Sequence, residues 1–94
     1  MKDKIKALLL KNYGYNEKSA TMTADDLCSF KDTDLKEAVQ IWLSTGKYKN
    51  VTEGKYEARE LVEKYSMKYP AALVFIDWFR ECPEEAEASL FIRE

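Results

Sequence analysis

The stretch 69–82, Tyr-Pro-Ala-Ala-Leu-Val-Phe-Ile-Asp-Trp-Phe-Arg-Glu-Cys, leaves the chain few ways to fold. Its apolar residues occupy two helical stripes instead of one. Ala72, Leu73, Ile76 and Phe79 make the first, and Ala71, Val74, Phe75 and Trp78 make the second. A helix that is apolar around most of its circumference has to be buried, so other helices must pack about it. Pro70 suits a first turn, where its missing N–H matters little, and the Cys82-Pro83 step disfavours further helix. At about a dozen residues the segment falls well short of a bilayer span. The spacing predicts a central helix over 69–82.

The flanking segments predict its partners. Over 2–13, Ile5, Leu8 and Leu9 share one helical face, and Gly14 stands where a left-handed cap closes the helix. Residues 15–22 are polar and without period, and read as an exposed loop. Thr23 with Asp26 resembles a capping box, opening a short helix that turns Leu27 and Phe30 inward. Residues 31–34 supply the next N-cap, for a helix carrying Leu35, Ala38, Val39, Trp42 and Leu43 on one face and ending before Gly46. Residues 46–54 read as loop, with at most a stray bridge near 48–51. Thr52 offers an N-cap for a helix whose inward stripe is Ala58, Leu61, Val62 and Tyr65, and 66–68 break it before the central helix. After Pro83, Glu84, Glu85 and Glu87 suit the positive pole of a last helix. Leu90, Phe91 and Ile92 are expected to dock its end, with Arg93 at the opposite pole. The expected fold is all-α: one compact domain over 1–94, five or six short helices around the central one, with Trp42 and Phe79 buried.

Chemistry is harder to find. The chain has no histidine, which removes the commonest general base and metal ligand. Cys28 and Cys82 are too few for a zinc site and read as reduced, packed thiols. The acidic clusters, Asp25 with Asp26 and Glu84 with Glu85 and Glu87, fall at expected helix starts, where capping accounts for them. No phosphate loop or nucleophile elbow occurs, so the expectation is a non-enzyme with no cofactor and no metal site. Fifteen basic and 17 acidic side chains give a net charge of −2, too balanced to attract nucleic acid or acidic lipid as a whole. The apolar run at 7–10 is shorter than a signal-peptide core, so the expected location is the cytoplasm, away from membranes.

Two functional readings remain. An amphipathic helix, a break at 66–68 and a second helix make the segment 55–78 resemble a degenerate helix-turn-helix, in which Lys47, Lys49, Lys55, Lys64 and Lys68 would contact phosphates. It departs from that family where the turn glycine is replaced by Ser66 and where the second helix carries almost no side chain that reads base edges. The other reading takes the second apolar stripe literally. Ala71, Val74 and Trp78 must be covered by the last helix, by another protein or by a second copy of the chain, which describes a small interaction module.

Overall fold

The structure, a computed structural model, describes residues 2–93, with side chains described through Leu90. Among these residues the chain forms α1 (Lys2–Asn12), α2 (Glu17–Cys28), α3 (Thr33–Thr45), strands β1 (Thr52–Glu53) and β2 (Tyr56–Glu57), α4 (Ala58–Lys64), α5 (Tyr69–Glu81) and α6 (Pro83–Arg93). The fold is all-α apart from this one small hairpin. As the two apolar stripes require, α5 is central and packs against α2, α3, α4, α6 and β1. Tyr69, Pro70, Ala72, Leu73, Phe75 and Ile76 are its buried residues. They join Ile5, Leu9, Leu27, Leu35, Leu61 and Leu90 in one contiguous core. The radius of gyration, 12.5 Å, matches what about 94 residues give when packed around one core.

The second helix departs from expectation. Of the residues read as a loop, 15–22, only 15 and 16 lie outside a helix, because α2 begins at Glu17 and continues through the rest. Asn16 opens it, its side-chain oxygen accepting the Ser19 N–H at 2.8 Å. The inward face is Ala20, Ala24 and Leu27, four and three residues apart, and small side chains there let α2 lie close to α1 and α5. Thr23 and Asp26 therefore sit inside a helix and cap nothing. Asp25 and Asp26 stand in its last turn, against the dipole, with Asp25 paired to Lys2.

The segment after α3 also departs. Instead of a loop with a bridge near 48–51, the chain makes an antiparallel hairpin further on, with Thr52 opposite Glu57 and Glu53 opposite Tyr56. Thr52 is in a strand and is not the cap of α4. Helix α4 starts at Ala58, whose N–H donates to the Val51 carbonyl at 2.8 Å, while Asn50 Oδ1 accepts the Arg59 N–H at 3.1 Å. Gly54 turns the hairpin at φ +56°, and a Cβ there would meet Phe79 Cε1 at 3.3 Å. Gly54→Ala is therefore expected to destabilise by about 1 to 2 kcal/mol, from left-handed strain and the shove against Phe79, read from the urea unfolding midpoint.

Two helix ends share one design. Helix α1 closes with the Tyr15 N–H on the Leu9 carbonyl (3.2 Å) around Gly14 at φ +68°, and α4 with the Met67 N–H on the Leu61 carbonyl (3.2 Å) around Ser66 at φ +56°. Both are closures from a backbone N–H to the carbonyl six residues earlier, around a left-handed residue that is glycine in one and serine in the other.

Trp42 is buried, and its Nε1–H donates to Tyr13 Oη at 2.9 Å. Tyr13 Oη shares a hydrogen bond with Tyr48 Oη at 3.3 Å, and Tyr48 stacks on Tyr69 with ring centroids 4.4 Å apart. Tyr69 Oη donates to the Lys49 carbonyl at 2.8 Å. This aromatic column ties α3, α5 and the segments at 13 and 48 together. The bond to Tyr13, then burial, push the Tyr48 phenol up to about 12, and burial does the same to Tyr69, so both phenols stay protonated. Phe79, expected in the core, is only half-buried and packs edge-on against Tyr56 at 5.0 Å. Leu90 is buried as expected, whereas the roles expected of Phe91, Ile92 and Arg93 lie outside the described side chains. Neither cysteine is packed. Cys28 and Cys82 are both free and exposed, since each sits at the last position of its helix or just past it, on the outer side.

Candidate functional site

Helices α2 and α5 run side by side in the same direction. Ser19 lies near Lys68 and Ala71 at one end, Thr23 near Val74 in the middle, and Asp26 near Asp77 and Glu81 at the other end. This follows from sequence spacing. Ser19, Thr23 and Asp26 repeat at four and three along α2, and Ala71, Val74 and Trp78 repeat at three and four along α5, so each set makes one helical edge. The two edges leave a groove between them, with Ser89 of α6 as a further wall at its middle.

Three of the four residues of the second apolar stripe, Ala71, Val74 and Trp78, are brought together in this groove. Ala71 and Val74 are half-buried on its floor, and Trp78 is 37 % exposed, with Leu10 and Met22 the other large exposed apolar side chains among the described residues. The fourth member of the stripe, Phe75, turns into the core. Helix α6 packs on α5, and Trp78 still keeps 37 % of its surface exposed.

One end of the groove widens into a hollow of about 370 Å³. Its walls are the two left-handed closures, Gly14 with Tyr15 and Ser66 with Met67, and its floor is Ala71. The Lys68 ammonium lies 5.1 Å from the centre of the Tyr15 ring, a cation–π distance that holds the charge at the rim. The opposite end is acidic. Burial, and then the neighbouring Glu81 and Asp32 charges, hold the Asp77 carboxyl above its ordinary range. Burial, and then Asp25, do the same to Asp26. The groove thus has an apolar centre, a positive end and a negative end.

Beyond the acidic end, Arg80 organises a second cluster. Its guanidinium donates to Asp34 at 2.7 and 3.0 Å, to Asp32 at 2.9 Å and to Glu53 at 2.8 Å. This fastens α5 to the start of α3 and to the hairpin. The Arg80 bond is the main reason that the Asp34 carboxyl lies below its ordinary range. Asp32, in the N-cap position of α3, gives its carboxylate to Arg80 and makes no side-chain cap.

The five lysines of the helix-turn-helix reading are not gathered in this way. Lys49 pairs with Glu37 of α3 at 3.2 Å and Lys55 with Glu87 of α6 at 2.9 Å. Lys64 lies 5.7 Å from its neighbour Tyr65, Lys68 sits over Tyr15, and Lys47 is exposed in the connection after α3. The second helix of that motif is α5, whose buried side chains face α2, α3, α4 and α6. Among the described residues no group of three or more Cys, Asp or Glu is placed to hold a metal ion, and no helix is long and apolar enough to cross a membrane. Comparison with models of known protein families, with curated proteins and with solved structures finds no match.

Proposed function

We propose that this chain is a non-enzymatic helical interaction module of the cytoplasm, needing no cofactor, that takes a protein partner along the groove between α2 and α5. The observation that carries the reading is Trp78, an indole held 37 % exposed at the edge of the central helix beside the apolar floor of Ala71 and Val74. Tryptophan in such a setting is the side chain most enriched among residues that dominate binding energy. The helix-turn-helix reading has less in its favour. Of the lysines it would use, Lys49 and Lys55 are paired with carboxylates of α3 and α6, and the face α5 leaves open is apolar and acidic, which suits neither base edges nor phosphate.

The test compares affinity capture by wild type with capture by Trp78→Asp. At a dilution where both are monomeric, the variant is expected to keep its helical content and unfold within about 1 kcal/mol of wild type, since a half-exposed carboxylate stays hydrated. It is expected to lose the protein, or the second copy, that wild type retains. A variant that keeps every association of wild type overturns the reading. So does a salt-sensitive complex with random duplex that is abolished by Lys64→Glu with Lys68→Glu.

A further inference from the structure

The groove is complementary to itself. About Val74 as a centre, Ala71 lies three residues before and Trp78 four after, roughly 4.5 and 6 Å along the helix axis. Lys68 lies six before and Glu81 seven after, again roughly matched at 9 and 10.5 Å. The two members of each set are opposites: a small side chain against a large one, and a cation against an anion. Turning a second α5 end for end about Val74 therefore puts bulk over a vacancy and positive over negative twice, which is the condition for an isologous two-fold contact. A partner of a different sequence would not need this symmetry.

Resting on the interaction reading above, we propose that the occupant of the groove is a second copy of this chain. The two α5 helices run antiparallel about a two-fold axis at Val74, with each Trp78 seated over the other copy's Ala71 and each Lys68 beside the other copy's Asp77 and Glu81. The hollow of about 370 Å³ at Ala71 has room for an indole, and its walls offer the Tyr15 ring and the Lys68 ammonium, both of which favour an aromatic guest. The acidic end gains a cation where Asp26 and Asp77 ionise against burial and like charge. Polarity of the same sign comes from the scaffold, because α2 and α5 present their positive poles at the Lys68 end and their negative poles at the Glu81 end.

Light scattering coupled to size exclusion, run on the full chain over a dilution series, is expected to give twice the 11.0 kDa of one chain at the higher concentrations. Lys68→Glu and Glu81→Lys are each expected to weaken the dimer by about a hundredfold, because each sets like charges against one another in both symmetry-related halves. Both reversals put the new charge at the helix pole that favours it, so folding is not the reason for the loss, and circular dichroism checks this. The double variant Lys68→Glu with Glu81→Lys exchanges the 68–81 pair while leaving Asp77 beside the new carboxylate, and is expected to recover about tenfold of the loss. A wild-type dimer indifferent to both reversals, or a loss of which the double variant recovers nothing, overturns the antiparallel geometry. A wild-type monomer overturns the second copy as occupant. The capture experiment with Trp78→Asp then decides separately whether the groove binds another protein.

Discussion

Trp42→Ala is expected to destabilise the protein by about 3 to 5 kcal/mol, the range for removing a large buried aromatic side chain and leaving a cavity. Trp42 is 4 % exposed, and its indole N–H is the first link of the column through Tyr13, Tyr48 and Tyr69. Truncation deprives Tyr13 of its donor in a partly buried site, adding to the apolar loss. Trp42→Phe keeps most of the volume and removes the donor, and is expected to fall between wild type and alanine. Trp78→Ala makes the contrast, since at a dilution where the chain is monomeric the removal of a 37 % exposed indole from the groove edge is expected to lose under about 1 kcal/mol. Urea unfolding of the three variants measures this, and equal losses at 42 and 78 would mean that the two indoles share one environment.

Arg80→Leu is expected to lose about 2 to 4 kcal/mol, somewhat below the roughly 3 to 5 kcal/mol typical when one partner of a fully buried pair is removed. The arginine side chain is 18 % exposed, while Asp32, Asp34 and Glu53 are 48, 41 and 40 % exposed and rehydrate in part. The loss carries a pH signature. Asp34 is more acidic folded than unfolded, so its contribution is complete above its ordinary value of 3.8 and disappears as the pH falls through the lower folded value. The gap between wild type and Arg80→Leu should therefore be widest near neutrality and narrow below pH 3.8. Asp77 works in the opposite sense. Its raised value favours the folded state below 3.8, and that advantage is lost as the pH rises through its folded value, which flattens the wild-type profile. Unfolding midpoints of both proteins across this range measure it, and a gap that widens on acidification would contradict the Arg80–Asp34 assignment.

Much of the architecture was legible because large apolar residues report helical period strongly. Two stripes on 69–82 announced a central helix, and Leu35, Val39 and Trp42 announced α3. Helix α2 was hidden because its inward face is Ala20 and Ala24, which contribute little to a hydrophobic pattern, while a more conspicuous Thr–Asp pair drew the start forward by several residues. Asn16 was the available signal, an N-cap residue just before a run with good helix propensity. The hairpin was hidden for the opposite reason. Strands of two residues have no period to detect, and only Gly54 with Lys55 between Glu53 and Tyr56 hinted at a two-residue turn. The apolar part of the groove was legible, because Ala71, Val74 and Trp78 lie on one helix. Its second wall and its charged ends were not, since they depend on how α2 lies against α5. The Arg80 cluster was equally invisible, joining residues 27 to 48 positions apart that no local pattern relates.

Ser66 adopts the left-handed conformation that costs a non-glycine residue about 1 kcal/mol, at a corner where glycine would be the easier choice. Glycine there would also widen the range of shapes open to the corner, and that corner is one wall of the hollow at Ala71. A serine held by the Met67 N–H on the Leu61 carbonyl keeps the wall in one shape before anything arrives. The strain borne by the free protein is thus an entropy already surrendered, and an association at the hollow has that much less ordering left to do.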